Sequence, residues 1–181
     1  LGTPGGPNNI PNPCDVHAND IIVINEIVYN SPLGFDAGNW VELHNAGINS
    51  VDLSGWQLHE SDTAFTIPNG TVIPPDGFLV LAEDLTMFSA LYPNVTEVVG
   101  PMGFGLSNNG ERIMLYSPTR CMVDSVKYND KAPWPLEPDG DGPSLSLINP
   151  LTDNALGENW TTSLGAGTPG ADNNDNPCVW V

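Results

Sequence analysis

The stretch Ile21-Ile22-Val23-Ile24-Asn25-Glu26-Ile27-Val28-Tyr29, closed by Asn30-Ser31-Pro32, decides the fold class. Most of its side chains are β-branched, which restricts χ1 and suits a pleated, half-buried surface, and the proline ends the run; it reads as a strand. After a long Gly-containing loop, Trp40-Val41-Glu42-Leu43-His44 alternates, with Val41 and Leu43 on one face and Trp40, Glu42 and His44 on the other. Val51-Asp52-Leu53, Gly55-Trp56-Gln57-Leu58-His59 and Ala64-Phe65-Thr66-Ile67 follow, each short and closed by Gly, Ser or Pro. Pro74-Pro75-Asp76-Gly77 is a tight turn, since proline presets φ early and glycine accepts a positive φ late; it launches Phe78–Ala82 as a central strand. Only Asp84–Tyr92 has helical spacing, through Leu85, Phe88 and Leu91, and Pro93 stops it. Asn109-Gly110, inside Leu106–Tyr116, is a hairpin signal, and Cys121–Tyr128 forms a further strand. Short strands separated by turn signals predict an all-β protein, a β-sandwich with at most one short helix.

Composition agrees. The 181 residues include 19 Gly and 18 Pro with only 14% charged residues, so turns dominate and long helices have little room. Four Lys+Arg against 22 Asp+Glu give a net charge of −18, which leaves too few cations to neutralise a run of phosphates. Nucleic acid and anionic membrane are excluded as partners on that ground. No apolar run approaches the roughly 18 residues of a membrane span, and no signal-peptide pattern precedes Leu1. The expectation is a soluble piece of a longer polypeptide.

The two ends resemble each other. Leu1-Gly2-Thr3-Pro4-Gly5 leads through an Asn-rich tract to Asn12-Pro13-Cys14, and Leu164-Gly165-Ala166-Gly167-Thr168-Pro169-Gly170 leads through another to Asn176-Pro177-Cys178, about 165 residues later. That spacing is about one domain, so the chain reads as one unit of a tandem array: an entry linker over 1–19, a domain over 20–165 and an exit linker over 166–181. The reading organises three cysteines, an odd number for an extracellular chain. If Cys178 belongs to the next unit, Cys14 pairs with Cys121 and closes a loop of about 107 residues, worth roughly 4–5 kcal/mol on the chain-entropy model. Cys14–Cys178 is the alternative pairing and a free, buried Cys121 the third; spacing leaves all three open.

The succession of segments resembles the lamin tail domain, also called the intermediate-filament tail domain. The resemblance is carried by Ile24-Asn25-Glu26-Ile27, Trp40–Asn45, Asp52–Leu58, Phe65-Thr66-Ile67-Pro68, Thr71–Gly77, Gly110–Leu115 and Val123-Asp124-Ser125-Val126, which together span most of residues 20–165. It implies an immunoglobulin-like sandwich of the bacterial, secreted type, an accessory module of an exported or surface-anchored protein. Nuclear relatives use basic surface toward nucleic acid, and the charge here contradicts that role. No catalytic residues come with the resemblance.

Candidate sites are few. Glu137-Pro138-Asp139-Gly140-Asp141-Gly142 offers carboxylates on a Gly-rich loop, the oxygen chemistry calcium prefers; a solvated turn explains the same residues. Asp172-Asn173-Asn174-Asp175-Asn176 is a weaker second cluster, read chiefly as linker. Glu42 and His44, with His59-Glu60 on a neighbouring strand, would suit zinc if they converged. Trp40, Trp134 and Trp160 are candidates for exposed rings that stack on sugars, a carbohydrate-binding alternative, although core packing is the commoner fate of such rings. Neither a Gly-x-Ser-x-Gly elbow nor a His-Glu-x-x-His helix occurs, so no enzyme is expected. Asn69-Gly70-Thr71, Asn94-Val95-Thr96 and Asn159-Trp160-Thr161 are glycosylation sequons, meaningful only in a eukaryotic host. The function expected is a non-catalytic extracellular spacer or adhesion module in a tandem array, calcium-stabilised, whose partners are its neighbouring domains and an extracellular protein or glycan.

Overall fold

Why the first strand carries a glutamate in the middle of an apolar run becomes clear from its pairing. The computed structural model describes residues 21–32 and 34–173. Strand β1 (Ile22–Val28) pairs antiparallel with β2 (Trp40–Asn45), and the register shifts between Ile24 and Glu26, so Asn25 is the extra residue of a β-bulge. The bulge changes the phase of the alternation. Ile22 and Ile24 before it, and Ile27 and Tyr29 after it, all face the main core, while Glu26 and Val28 turn to the opposite face of the sheet. Glu26 then lies directly opposite Glu42.

The remaining elements are β3 (Val51–Asp52), β4 (Gln57–Glu60), β5 (Thr63–Thr66), β6 (Val72–Ile73), β7 (Phe78–Ala82), α1 (Leu85–Leu91), β8 (Val98–Val99), β9 (Arg112–Tyr116), β10 (Met122–Lys127), β11 (Leu145–Leu147) and β12 (Trp160–Thr162). One sheet has the order β12-β11-β1-β2-β7-β8 and a second β10-β9-β4-β5, with β3 and β6 forming a small third. All pairings are antiparallel except β7 with β8. Val41, Leu43, Leu79 and Leu81 from the first sheet and Leu58, Ile113, Leu115 and Val126 from the second fill the space between them. This is the expected sandwich with its one short helix.

The helix covers the other face of the six-stranded sheet. Asp84 caps it, Oδ1 accepting from the Thr86 and Met87 N–H groups at 2.7 and 3.0 Å. Phe88 packs into a second cluster with Val28, Trp40, Val80 and Ala82, so every residue of β2 is buried on both faces. The face carrying Trp40, Glu42 and His44 is therefore not an open outer surface.

Two sequence expectations shift. Asn109-Gly110 does make a turn, closed by the Gly110 N–H on Ser107 O at 3.2 Å, but only β9 follows as a strand and none precedes it; Leu106 instead donates its N–H to Asn39 Oδ1. The packed chain also runs past 165, where the exit linker was expected to begin, and reaches Asn173 through hydrogen bonds to β1, β2 and β11.

Candidate functional site

On the helix-bearing face of the large sheet, two buried carboxylates hold the segment 166–173. Glu26 Oε1 accepts from the hydroxyls of Ser144 and Ser146, which flank Leu145 in and beside β11, and from the Thr168 N–H at 2.9 Å. Glu42 Oε1 accepts from Asn25 Nδ2 at 2.9 Å, and its Oε2 from the Gly170 N–H at 2.6 Å. Asn173 Nδ2 reaches back to Asn25 O, Asn25 Oδ1 and Leu147 O at 3.0, 3.2 and 3.0 Å. The Tyr92 hydroxyl, just past the helix, donates to Ala166 O. Gly167 lies across the Trp40 ring, where a Cβ would come within 3.0 Å of Cζ2.

None of the four Lys and Arg side chains pairs with either acid. Burial pushes the Glu26 carboxyl up from 4.5 to about 7, against the opposing pull of hydrogen bonds from Ser144, Thr168 and Ser146. Burial, and then the Glu26 charge, push Glu42 well above its ordinary value, with Gly170 and Asn25 pulling the other way. The two titrate as a pair.

The hydrogen-bond geometry supplies a seat for the pair's proton. Thr168 Oγ1 lies 3.2 Å from Glu26 Oε2 and 3.1 Å from Asn173 Oδ1, two acceptors facing a single hydroxyl hydrogen. A proton on Glu26 Oε2 resolves this: the carboxyl donates to Thr168 Oγ1, and the threonine hydroxyl donates to Asn173 Oδ1. Asn173 then donates to Asn25 and Asn25 to Glu42, which stays an acceptor throughout. One proton thus satisfies the network from Glu26 to Glu42.

The residues singled out in the sequence lie elsewhere or act otherwise. Trp40, Trp134 and Trp160 are 0%, 8% and 4% exposed, which corrects the expectation of exposed sugar-stacking rings. Trp40 meets Phe88 and Tyr92 edge-on, and Trp134 and Trp160 pack together with centroids 5.8 Å apart, the Trp160 indole N–H donating to Asn154 O. Glu137, Asp139 and Asp141 are exposed on the loop before β11; Asp139 Oδ1 accepts from Asn30 Nδ2 at 2.7 Å, and the Asp141 N–H donates to Glu137 O at 3.2 Å. Among the described residues no three of His, Cys, Asp or Glu converge as a metal-binding group. The zinc arrangement is corrected: His44 sits in the large sheet, stacked on Phe78 with Nε2 3.2 Å from Asp76 Oδ1, whereas His59 lies in the other sheet beside Gln57 and Tyr116. Cys121 is buried just before β10, while Cys14 and Cys178 fall outside the described residues, and so do both candidate pairings. Of the second acidic cluster, Asn173 is held on the sheet and 174–176 lie outside the described residues.

An open cleft of about 690 Å³ between the loop after β1 and the start of α1 is lined by Asn30, Asp36, Asn39, Glu83 and Asp84. The buried Tyr29 hydroxyl borders it. The sequence reading missed both this cleft and the carboxylate pair. A glutamate interrupting the apolar run at 26 was the available signal.

Two packed sheets, antiparallel but for the β7–β8 pair, define an immunoglobulin-like β-sandwich. The family model for the lamin tail domain matches residues 15–130, well over half of the chain, and the chain belongs to that family. Lamin tail domains are a non-enzymatic, immunoglobulin-like family. The match ends before β11, β12 and the clasped segment. No curated protein matches the chain.

Proposed function

We propose that the chain is a non-catalytic module of a secreted or cell-surface protein, one unit of a tandem array whose stiff sandwich holds neighbouring domains at a set separation. The observation that supports this most is the clasp: the domain ends in a Gly-Thr-Pro-Gly segment fixed by two buried acids, and the same four residue types stand at Gly2–Gly5. A net charge of −18 favours an extracellular setting and disfavours nucleic acid as a partner. A disulfide from Cys14 to Cys121, or to Cys178, belongs to the same reading as a covalent staple.

Stretching single molecules of the chain between terminal handles tests it. With its disulfides reduced, a load-bearing module gives one cooperative event that releases the roughly 153 residues from 21 to 173, or about 500–550 Å of contour. Extension without a resisting event would end the spacer reading.

A further inference from the structure

The charged lining of the 690 Å³ cleft between the loop after β1 and the start of α1 is wholly acidic: Asp36, Glu83 and Asp84, with no Lys, Arg or His beside them. Each acid spends one oxygen inside the protein. Asp36 Oδ1 accepts from the Gly38 N–H at 2.9 Å, Glu83 Oε2 from the Asn39 N–H at 3.1 Å, and Asp84 Oδ1 caps α1. The second oxygen of each has no hydrogen bond or ion pair among the described residues. Tyr29 lines the same cleft; it is fully buried, its ring is stacked on Tyr128 with centroids 4.8 Å apart, and its hydroxyl has no partner. Burial, and then the charges of Asp139 and Asp130, push that hydroxyl up, so the charge around it is negative from this side as well. A buried polar group left unpaired is costly unless something from outside pairs it.

This chemistry selects a ligand. Carboxylate oxygens without a counter-charge favour a cation that can donate to them. Among the described residues no three acids converge as a metal's ligands do, whereas a guanidinium spreads five donors over a rigid plane and can reach acceptors that lie apart. Phe104 lines the cleft too, and guanidinium planes pack well on aromatic rings. The volume exceeds one guanidinium and leaves room for the stem and backbone that carry it. None of the chain's four Lys and Arg lines the cleft, so the cation comes from another molecule.

We propose that this cleft is a binding site for a guanidinium group, and that its ligand is an arginine side chain of another polypeptide, held by Asp36, Glu83 and Asp84 with the Tyr29 hydroxyl at the edge of the site. The proposal does not rest on the spacer reading: the stretching measurement can fail while this binding holds, and the reverse.

The test titrates the full chain at low salt with acetyl-arginine amide and, separately, with acetyl-citrulline amide, which has the same shape without the charge, while NMR follows the backbone amides of Asn39, Glu83 and Gly105. The arginine compound should give saturable shifts in the millimolar range, and the citrulline compound should bind roughly tenfold more weakly or not at all. Glu83→Gln can keep the bond from the Asn39 N–H through its carbonyl and should weaken binding about fivefold by loss of charge. Tyr29→Phe removes a hydroxyl that pairs with nothing in the protein, so it should melt no lower than the wild type yet bind several-fold more weakly. The proposal is overturned if no saturable shift appears, if the citrulline compound binds as well, or if Glu83→Gln and Tyr29→Phe both fold and leave the affinity unchanged. It is equally overturned if millimolar calcium moves these amides and the arginine compound does not.

Discussion

Raising the pH through neutrality should weaken this domain, and Glu26→Gln should remove much of the weakening. Glu26 titrates near 4.5 in an unfolded chain and at about 7 in the folded one, where burial disfavours its charge. Between those values the native state binds the extra proton, so stability is at its full value below about pH 4.5 and falls as pH rises toward and through 7. One such proton contributes a slope of about 1.4 kcal/mol per pH unit, and about 3 kcal/mol across the interval. Glu42, Glu111 and Asp124 are also raised, mainly by burial, and add to the fall with the same sign. The wild-type curve is therefore a sum, and the difference between wild type and Glu26→Gln isolates the pair. A glutamine amide can donate to Thr168 Oγ1 as the protonated carboxyl does, while its carbonyl keeps the Ser144 and Thr168 N–H bonds. The variant imitates the protonated state at every pH and also relieves Glu42 of a neighbouring charge.

Urea denaturation at half-unit steps from pH 4.5 to 8.5 measures this, with hydrogen exchange at Thr168 and Gly170 reporting whether the segment stays down. The wild-type midpoint should fall steadily with pH, and the variant's should fall less steeply by about one proton's slope. Parallel curves for the two proteins would refute the reasoning, because Glu26 would then be ionised in the folded state like any surface acid.

Three further outcomes follow from single contacts. Asp84→Ala removes the cap that serves two N–H groups of α1 and should cost about 1 kcal/mol in thermal unfolding, with Asp84→Asn largely restoring it. Trp134→Ala empties a buried site against Trp160 and should destabilise by about 3–5 kcal/mol in urea; a loss below about 1 kcal/mol would show that the ring is not core. Asp139→Ala loses an exposed hydrogen bond from Asn30 and should cost less than about 1 kcal/mol, equally in EDTA and in millimolar calcium. A deficit seen only with calcium present would establish the 137–141 loop as a metal site.

The strands that announced themselves were those with β-branched runs or clear alternation: β1, β2, β7, β9 and β10. Leu145–Leu147 and Trp160–Thr162 did not, because three residues are too few to show a period, and Ser146 within the first and Ser144 just before it look like loop until Glu26 is seen beneath them. Trp40 was misjudged for a related reason. Alternation correctly placed it opposite Val41 and Leu43, but it cannot say whether that second face meets water or a helix. The bulge at Asn25 was invisible too, since it shows only in the partner strand's register. A reading that assigned Glu26 to a plain strand would have had to put it on the core face, where a carboxylate is costly. That conflict was the trace the functional feature left in the sequence.

Two acids are an expensive way to hold down a segment that apolar residues would also hold, which points to what the acids add. A buried carboxylate without a cation is tolerated only when a proton or hydrogen bonds satisfy it, so Glu26 and Glu42 are stable together only with donors at fixed places above them. Thr168 and Gly170 supply those donors, with the proline between them offering none. Sliding the segment by one residue would place Pro169 over Glu26 and lose its N–H bond, and would push a side chain toward Trp40. An apolar contact would tolerate such a slip at little cost, because burial is not directional. The pair therefore fixes register as well as attachment, setting where the chain lies on the sheet up to Asn173. For the spacer role proposed above, a fixed exit is the property that would turn a folded domain into a ruler.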